Sequence, residues 1–164
     1  MILGFAHPGL VVPDLDEARA FYERMFGFRY FCDEGWENNV TVDKAIGVVG
    51  SASKGVTLAG HNCYLELFEF HSPDQEGPSP SSLQPHDLGI RHLAFFVDDC
   101  RAEYQRLLDL GGDMLGEPTN LGDGIYAAYC RDPFGNIIEL AELPSKAEDP
   151  RNLPGVDSLG DYEG

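Results

Sequence analysis

Gly89-Ile90-Arg91-His92-Leu93-Ala94-Phe95-Phe96-Val97-Asp98-Asp99 reads as a buried strand that carries a histidine near its start and runs straight into a helix N-terminus. A much earlier stretch, Phe5-Ala6-His7-Pro8-Gly9-Leu10-Val11-Val12-Pro13-Asp14, does the same, with Val five residues and Asp seven residues after the His in both. The strand-like ends correspond as well: Tyr64-Leu65-Glu66-Leu67-Phe68-Glu69-Phe70 against Ile137-Ile138-Glu139-Leu140-Ala141-Glu142-Leu143. One unit occurs twice, each copy opening on a His and closing on a Glu.

Between these marks the order is strand, helix, then three strands. In the first copy a strand from Phe5 to Val12 leads to Asp14, an N-cap with Glu17 placed to complete a capping box. Leu15, Ala18, Phe21, Tyr22, Met25 and Phe26 follow at helical spacing and Gly27 supplies the stop. Strands are expected over Phe28–Cys32, Val56–Ala59 and Cys63–Phe70, while Val42–Val49 fits either a short helix or an irregular segment. The second copy predicts strands at Arg91–Val97, Met114–Glu117, Ile125–Cys130 and Ile137–Leu143, with a helix capped by Asp99 and a tight turn at Asp132-Pro133-Phe134-Gly135-Asn136. The expected organisation is a first module over 1–70, a Pro- and Ser-rich linker without regular structure over 71–89, a second module over 90–143, and an acidic tail over 144–164.

A chain of 164 residues with 43% hydrophobic content is one ordinary domain or two small modules. No apolar run is long enough to span a bilayer, so a soluble cytoplasmic protein is expected. A net charge of −17 argues against nucleic acid, which requires concentrated Lys and Arg. Cys32, Cys63, Cys100 and Cys130 are far apart, form no C-x-x-C pair, and read as reduced thiols without chemistry.

Strand alternation puts Glu66 on one face with Tyr64, Phe68 and Phe70, and sends Leu65, Leu67 and Glu69 to the other. Glu139 shares its face with Ile137 and Ala141. A carboxylate on such a face is costly unless a cation or strong donors compensate it. Two modules related by an approximate two-fold axis would bring His7, Glu66, His92 and Glu139 towards one centre. That two-nitrogen, two-carboxylate set suits a divalent ion such as Ni, Co, Zn, Mn or Fe and leaves positions for water or substrate. His61, His71 and His86 fall in turn or linker regions and read as solvent-exposed. Trp36, Tyr126 and Tyr129 read as packing residues.

The pattern resembles the vicinal oxygen chelate superfamily, the glyoxalase, bleomycin-resistance and ring-cleaving dioxygenase group, over about Leu3 to Leu143. The resemblance is carried by His7 through Asp14, Phe21-Tyr22 and Gly27, and Leu65-Glu66-Leu67 in the first half. In the second half it is carried by Gly89 through His92, Val97-Asp98-Asp99, and Asp132 through Asn136 with Ile138-Glu139-Leu140. It implies an α+β fold of two tandem βαβββ modules forming a curled mixed sheet around a metal cleft. His7, Glu66, His92 and Glu139 match the ligand positions, a set similar to that of metal-dependent glyoxalase I and methylmalonyl-CoA epimerase.

The resemblance implies a lyase, isomerase or epimerase that stabilises an enediolate or enolate of a small oxygenated substrate. Glu139 is the first choice for the proton-moving base and Glu66 the second. A homodimer is expected. The alternatives are an Fe(II)-dependent ring-cleaving dioxygenase using His7, His92 and Glu139, and a metal-free binding protein of the bleomycin-resistance kind. The first does not normally place a carboxylate where Glu66 stands, and the second is expected to lose the ligand set.

Overall fold

A computed structural model of the chain describes residues 4–60 and 62–143. It divides into two compact units, with the division between Gly77 and Pro78. In the first unit β1 (Gly9–Val11), α1 (Leu15–Phe26), β2 (Arg29–Asp33), α2 (Val40–Ile46), β3 (Ala52–Gly60) and β4 (Cys63–Ser72) follow in order. The second unit holds a 3-10 turn at Pro80–Ser82, then β5 (His92–Val97), α3 (Cys100–Asp109), β6 (Asp113–Met114), β7 (Thr119–Gly122), β8 (Ile125–Arg131) and β9 (Ile137–Glu142).

Each unit has its own mixed sheet. The first is ordered β1-β4-β3-β2 and the second β5-β9-β8-β6, with β7 also on β8. This is the expected βαβββ arrangement in each unit, with α2 added between β2 and β3 in the first and β7 added beside β8 in the second. In both, the first strand lies parallel to the last, and the crossover helix packs against the sheet.

The first helix starts where its sequence says. The Asp14 carboxylate accepts from the Glu17 amide at 2.9 Å, the forward half of a capping box whose return bond is not made. Gly27 closes the helix at φ 71°, in the left-handed region. Its apolar stripe buries Leu15, Ala18, Phe21, Tyr22, Met25 and Phe26. On the sheet, Val56, Leu58, Leu65 and Leu67 are buried too. Each such side chain stabilises the unit by about 1.5–3 kcal/mol. The second unit buries Leu107, Cys130, Ile138 and Leu140 in the same manner.

Several elements depart from the sequence reading. The first strand is only Gly9–Val11, because Pro8 has no amide to donate; its carbonyl accepts from the Glu66 amide at 3.1 Å before the strand begins. Val40–Ile46 is a helix, capped by Asn39, whose side chain accepts from the Thr41 and Val42 amides. The strand expected at Met114–Glu117 is Asp113–Met114, ended ahead of Gly116 and Pro118, and Thr119–Gly122 is a further strand.

The segment expected to lack regular structure is not featureless. β4 runs on to Ser72, taking His71 into a strand, and the 3-10 turn starts on Pro80. That turn is tied down by Arg131, which is 5% exposed and donates to the carbonyls of Pro80, Leu83 and Gly135. His71 and His86 are exposed as expected. His61 and the acidic tail lie outside the described residues.

Candidate functional site

In the first unit Gly9, Leu10 and Val11 pair with Glu66, Leu67 and Phe68. In the second, Ala94, Phe95 and Phe96 pair with Glu139, Leu140 and Ala141. His7 stands two residues before Gly9, and His92 two residues before Ala94, so the two halves share one register.

That register brings His7 Nε2 within 3.0 Å of Glu66 Oε2, and His92 Nε2 within 3.0 Å of Glu139 Oε2. All four side chains are partly open to solvent, between 20% and 38% exposed. The four sequence-selected residues therefore form two matched pairs, one per unit. Among the described residues no three His, Cys, Asp or Glu side chains stand together as a metal cluster.

The spacing within each pair bears on metal binding. Two ligand atoms about 2.1 Å from an ion and at a right angle to one another lie about 3.0 Å apart. A His nitrogen and a carboxylate oxygen at 3.0 Å thus form a hydrogen bond without an ion and fit two adjacent coordination positions with one. The donor types suit a borderline divalent cation.

The surroundings of the two glutamates differ. Tyr129 lies opposite Glu139 in the β8–β9 ladder, and its ring sits 5.0 Å from the His92 ring. Burial pushes the Tyr129 phenol above its ordinary value, and the neighbouring Glu139 carboxylate pushes the same way. Opposite Glu66 stands Thr57, which donates to Glu34 Oε1 at 3.0 Å. The Cys32 thiol donates to the same oxygen at 3.2 Å. That bond is the main cause of the raised Cys32 value.

Reading each strand by itself overlooked Tyr129, Thr57 and Glu34. Counting outward from the turns finds the first two. Arg131 faces Ile137 across the Asp132–Asn136 turn, which puts Tyr129 opposite Glu139. Gly60 faces Cys63, which puts Thr57 opposite Glu66.

The aromatic residues of the Glu66 face form a second feature. The Trp36 ring lies 5.6 Å from Phe68 and 5.5 Å from Phe70, and Phe31 lies 5.3 Å from Tyr64. Trp36 exchanges both backbone hydrogen bonds with Ser53 and donates its indole N–H to Ser51 Oγ at 2.7 Å. Asp43 of α2 accepts from the Ser51 hydroxyl and from the Gly50 and Ser51 amides, and these bonds hold its carboxyl below the ordinary range.

Comparison with known proteins identifies the family and the fold. The family model for the Glyoxalase/Bleomycin resistance protein/Dioxygenase superfamily matches residues 4–140. A 2-epi-5-epi-valiolone epimerase from Actinomyces is 31% identical over 150 residues, covering 86% of this chain and 80% of that protein. A glyoxalase family protein from Bacillus cereus superposes with a TM-score of 0.79 at 22% identity, over 87% of this chain and 95% of that one. The fosfomycin resistance protein FosX from Listeria monocytogenes, solved with Mn(II) and sulfate, superposes with a TM-score of 0.57 at 21% identity, over 90% of this chain and 98% of that one. Duplicated βαβββ units, a His and a Glu repeated in one register, and a family match over nearly all the described residues make this chain a member of the Glyoxalase/Bleomycin resistance protein/Dioxygenase superfamily.

Proposed function

We propose that the protein is a divalent-metal-dependent enzyme of the glyoxalase type that moves a proton at a carbon beside a carbonyl, most simply as an epimerase. Isomerase and lyase activities belong to the same chemistry. The observation that carries this reading is the repeat of a His–Glu pair, at 3.0 Å and in one register, in both units. The relative named as an epimerase, at 31% identity, supports the choice within the family.

In this reading His7, Glu66, His92 and Glu139 together hold one ion, drawn from Ni, Co, Zn, Mn and Fe. When bound, such a cation supplies positive charge to the substrate oxygen on which negative charge develops. The remaining work falls to the chain's own groups. Glu139 removes the carbon-bound proton, with the His92 ring 3.0 Å from its carboxylate and Tyr129 opposite it in the ladder. Epimerisation needs a proton taken from one face of the carbon and delivered to the other, and Glu66 is the second carboxylate available for that step. The substrate is a small molecule, and the working form is a homodimer.

The test joins elemental analysis with deuterium wash-in. Protein purified without chelator should carry about one divalent ion per chain, and ketone substrates in D2O should gain deuterium next to the carbonyl. Two ions per chain would break the shared set. No ion, even after reconstitution, would overturn metal dependence. Stoichiometric iron with ring-opening oxygen consumption would replace the epimerase by a dioxygenase.

A further inference from the structure

We propose that Trp36, Glu34 and the Phe68–Phe70 pair form a substrate subsite beside Glu66, taking the C–H face of an uncharged, hydroxyl-bearing ring and one of its hydroxyl groups. The inference rests on the reading of Glu66 as part of the reaction centre and names the substrate class for it.

Alternation along β4 puts Glu66, Phe68 and Phe70 on one face of the sheet, and Trp36 packs its ring against both phenylalanines. Room for this layer is made at Gly55, which pairs with Phe68: a Cβ there would lie 2.6 Å from the Phe68 ring. The tryptophan is fixed from behind by its two backbone bonds to Ser53 and by the chain of hydrogen bonds from its indole through Ser51 to Asp43. Helix α2 and the turn after it therefore hold an aromatic ring over the sheet. Trp36 is only partly buried, so its packing against the core is incomplete. A flat aromatic surface with an open side is suited to the C–H face of a saturated ring.

Glu34 supplies the polar half. Thr57 and Cys32 both donate to Oε1 and set the orientation of the carboxylate. Among the described residues Oε2 receives no donor, and Glu34 is half-buried rather than extended into solvent. Because Thr57 is opposite Glu66 in the ladder, the Glu34 carboxylate is anchored on the strand position neighbouring Glu66. A carboxylate oxygen only accepts, so it selects a hydroxyl or amine donor. The chain's net charge of −17 and the Glu34 carboxylate itself disfavour phosphorylated or carboxylated ligands. Those constraints exclude an anionic ring and fit a neutral polyol ring.

Trp36 is the only tryptophan, so its fluorescence reads this subsite directly. We would titrate metal-free protein with an inosose (a cyclic polyhydroxy ketone), cyclohexanone and inositol monophosphate. The inosose should produce a saturable change in Trp36 emission, with cyclohexanone and the monophosphate each weaker by about tenfold or more, about 1.4 kcal/mol. Glu34→Gln keeps the oxygen that Thr57 and Cys32 donate to and converts the other position to a donor. It should weaken inosose binding about tenfold while leaving the emission of free protein unchanged.

Equal response to cyclohexanone, tighter binding of the monophosphate, an unaffected Glu34→Gln variant, or no saturable response to the inosose would each overturn the proposal. Binding is read without metal or turnover. A protein that binds the inosose but neither holds an ion nor exchanges deuterium keeps the subsite and loses the proposed function. One that exchanges deuterium from other ketones without a Trp36 response does the reverse.

Discussion

Glu69 and Glu142 do the same job in their respective units, each closing the start of the crossover helix from the last strand. Glu69 lies three residues past Glu66 and accepts from the Leu15 amide at 2.9 Å; Glu142 lies three past Glu139 and accepts from the Cys100 amide at 3.2 Å. Glu142 also accepts from the Tyr126 amide at 3.1 Å. A carboxylate here satisfies a free amide and faces the positive end of the helix. Replacing Glu69 by Ala should cost about 1–2 kcal/mol. Glu142→Ala should cost more, since it strips two amides. Urea denaturation of the two variants checks the order; equal and negligible losses would remove the carboxylates from the capping role.

The ligand reading makes separable demands on Glu139 and His92. Glu139→Gln should abolish deuterium wash-in while leaving the melting temperature within a few degrees of the parent's. His92→Ala should lower metal affinity by more than the about 10–100-fold that loss of an outer-shell partner costs. Isothermal titration with Mn or Ni measures the second effect. Unchanged affinity would take His92 out of the set.

Cys130 gives stability an alkaline limit. Burial, assisted by Cys100 and Asp132, pushes its thiol up to about 12. The folded chain therefore keeps this proton where the unfolded chain, with an ordinary thiol near 8.5, has lost it. Stability from this group is complete below about pH 8.5 and falls as pH rises towards 12, at up to about 1.4 kcal/mol per pH unit. Cys130→Ala should flatten the alkaline limb of a denaturation series. An unchanged slope would mean that other buried groups set it.

Gly112 should be among the least replaceable positions of the second unit. A Cβ there would lie 2.6 Å from the Arg131 carbonyl and would also collide with the Leu107 side chain. The carbonyl belongs to the strand ladder and cannot swing aside, so Gly112→Ala should cost about 1–3 kcal/mol or more. Gly124 is the control. Unlike Gly112 it has a positive φ, 81°, and nothing near its added Cβ, and so reports backbone strain alone. Thermal melts of both alanine variants separate crowding from strain.

The parts of the fold legible from sequence were those written in local chemistry. Asp14, the apolar stripe to Phe26 and Gly27 define α1 almost to the residue, and the His and Glu of each copy stand out because they recur. What escaped depended on contacts across the chain. Val40–Ile46 is short and has no buried residue, so its helix is announced mainly by the Asn39 cap. Pro80 stops a long element but also starts a 3-10 turn, stabilised by Arg131 some fifty positions later. Tyr129 looked like a packing residue because its neighbours along the strand are apolar; its partner is across the ladder. Trp36 and Glu34 are joined to the Glu66 face by a bridge to Ser53, a backbone bond to Gly55, side-chain hydrogen bonds and ring contacts, none of which a periodicity records.

The ladder that fixes each His–Glu pair has an evolutionary consequence. The pairs are set by backbone pairing between the first and last strands of a unit, with Pro8, Glu66, Val12 and Phe68 locking the register in the first. The stretch between β2 and β3, including α2, contributes nothing to that lock. Insertions and exchanges there should change the surroundings of the His–Glu pairs without moving them, so variation in chain length is best tolerated between β2 and β3, where α2 and the Trp36 brace already stand.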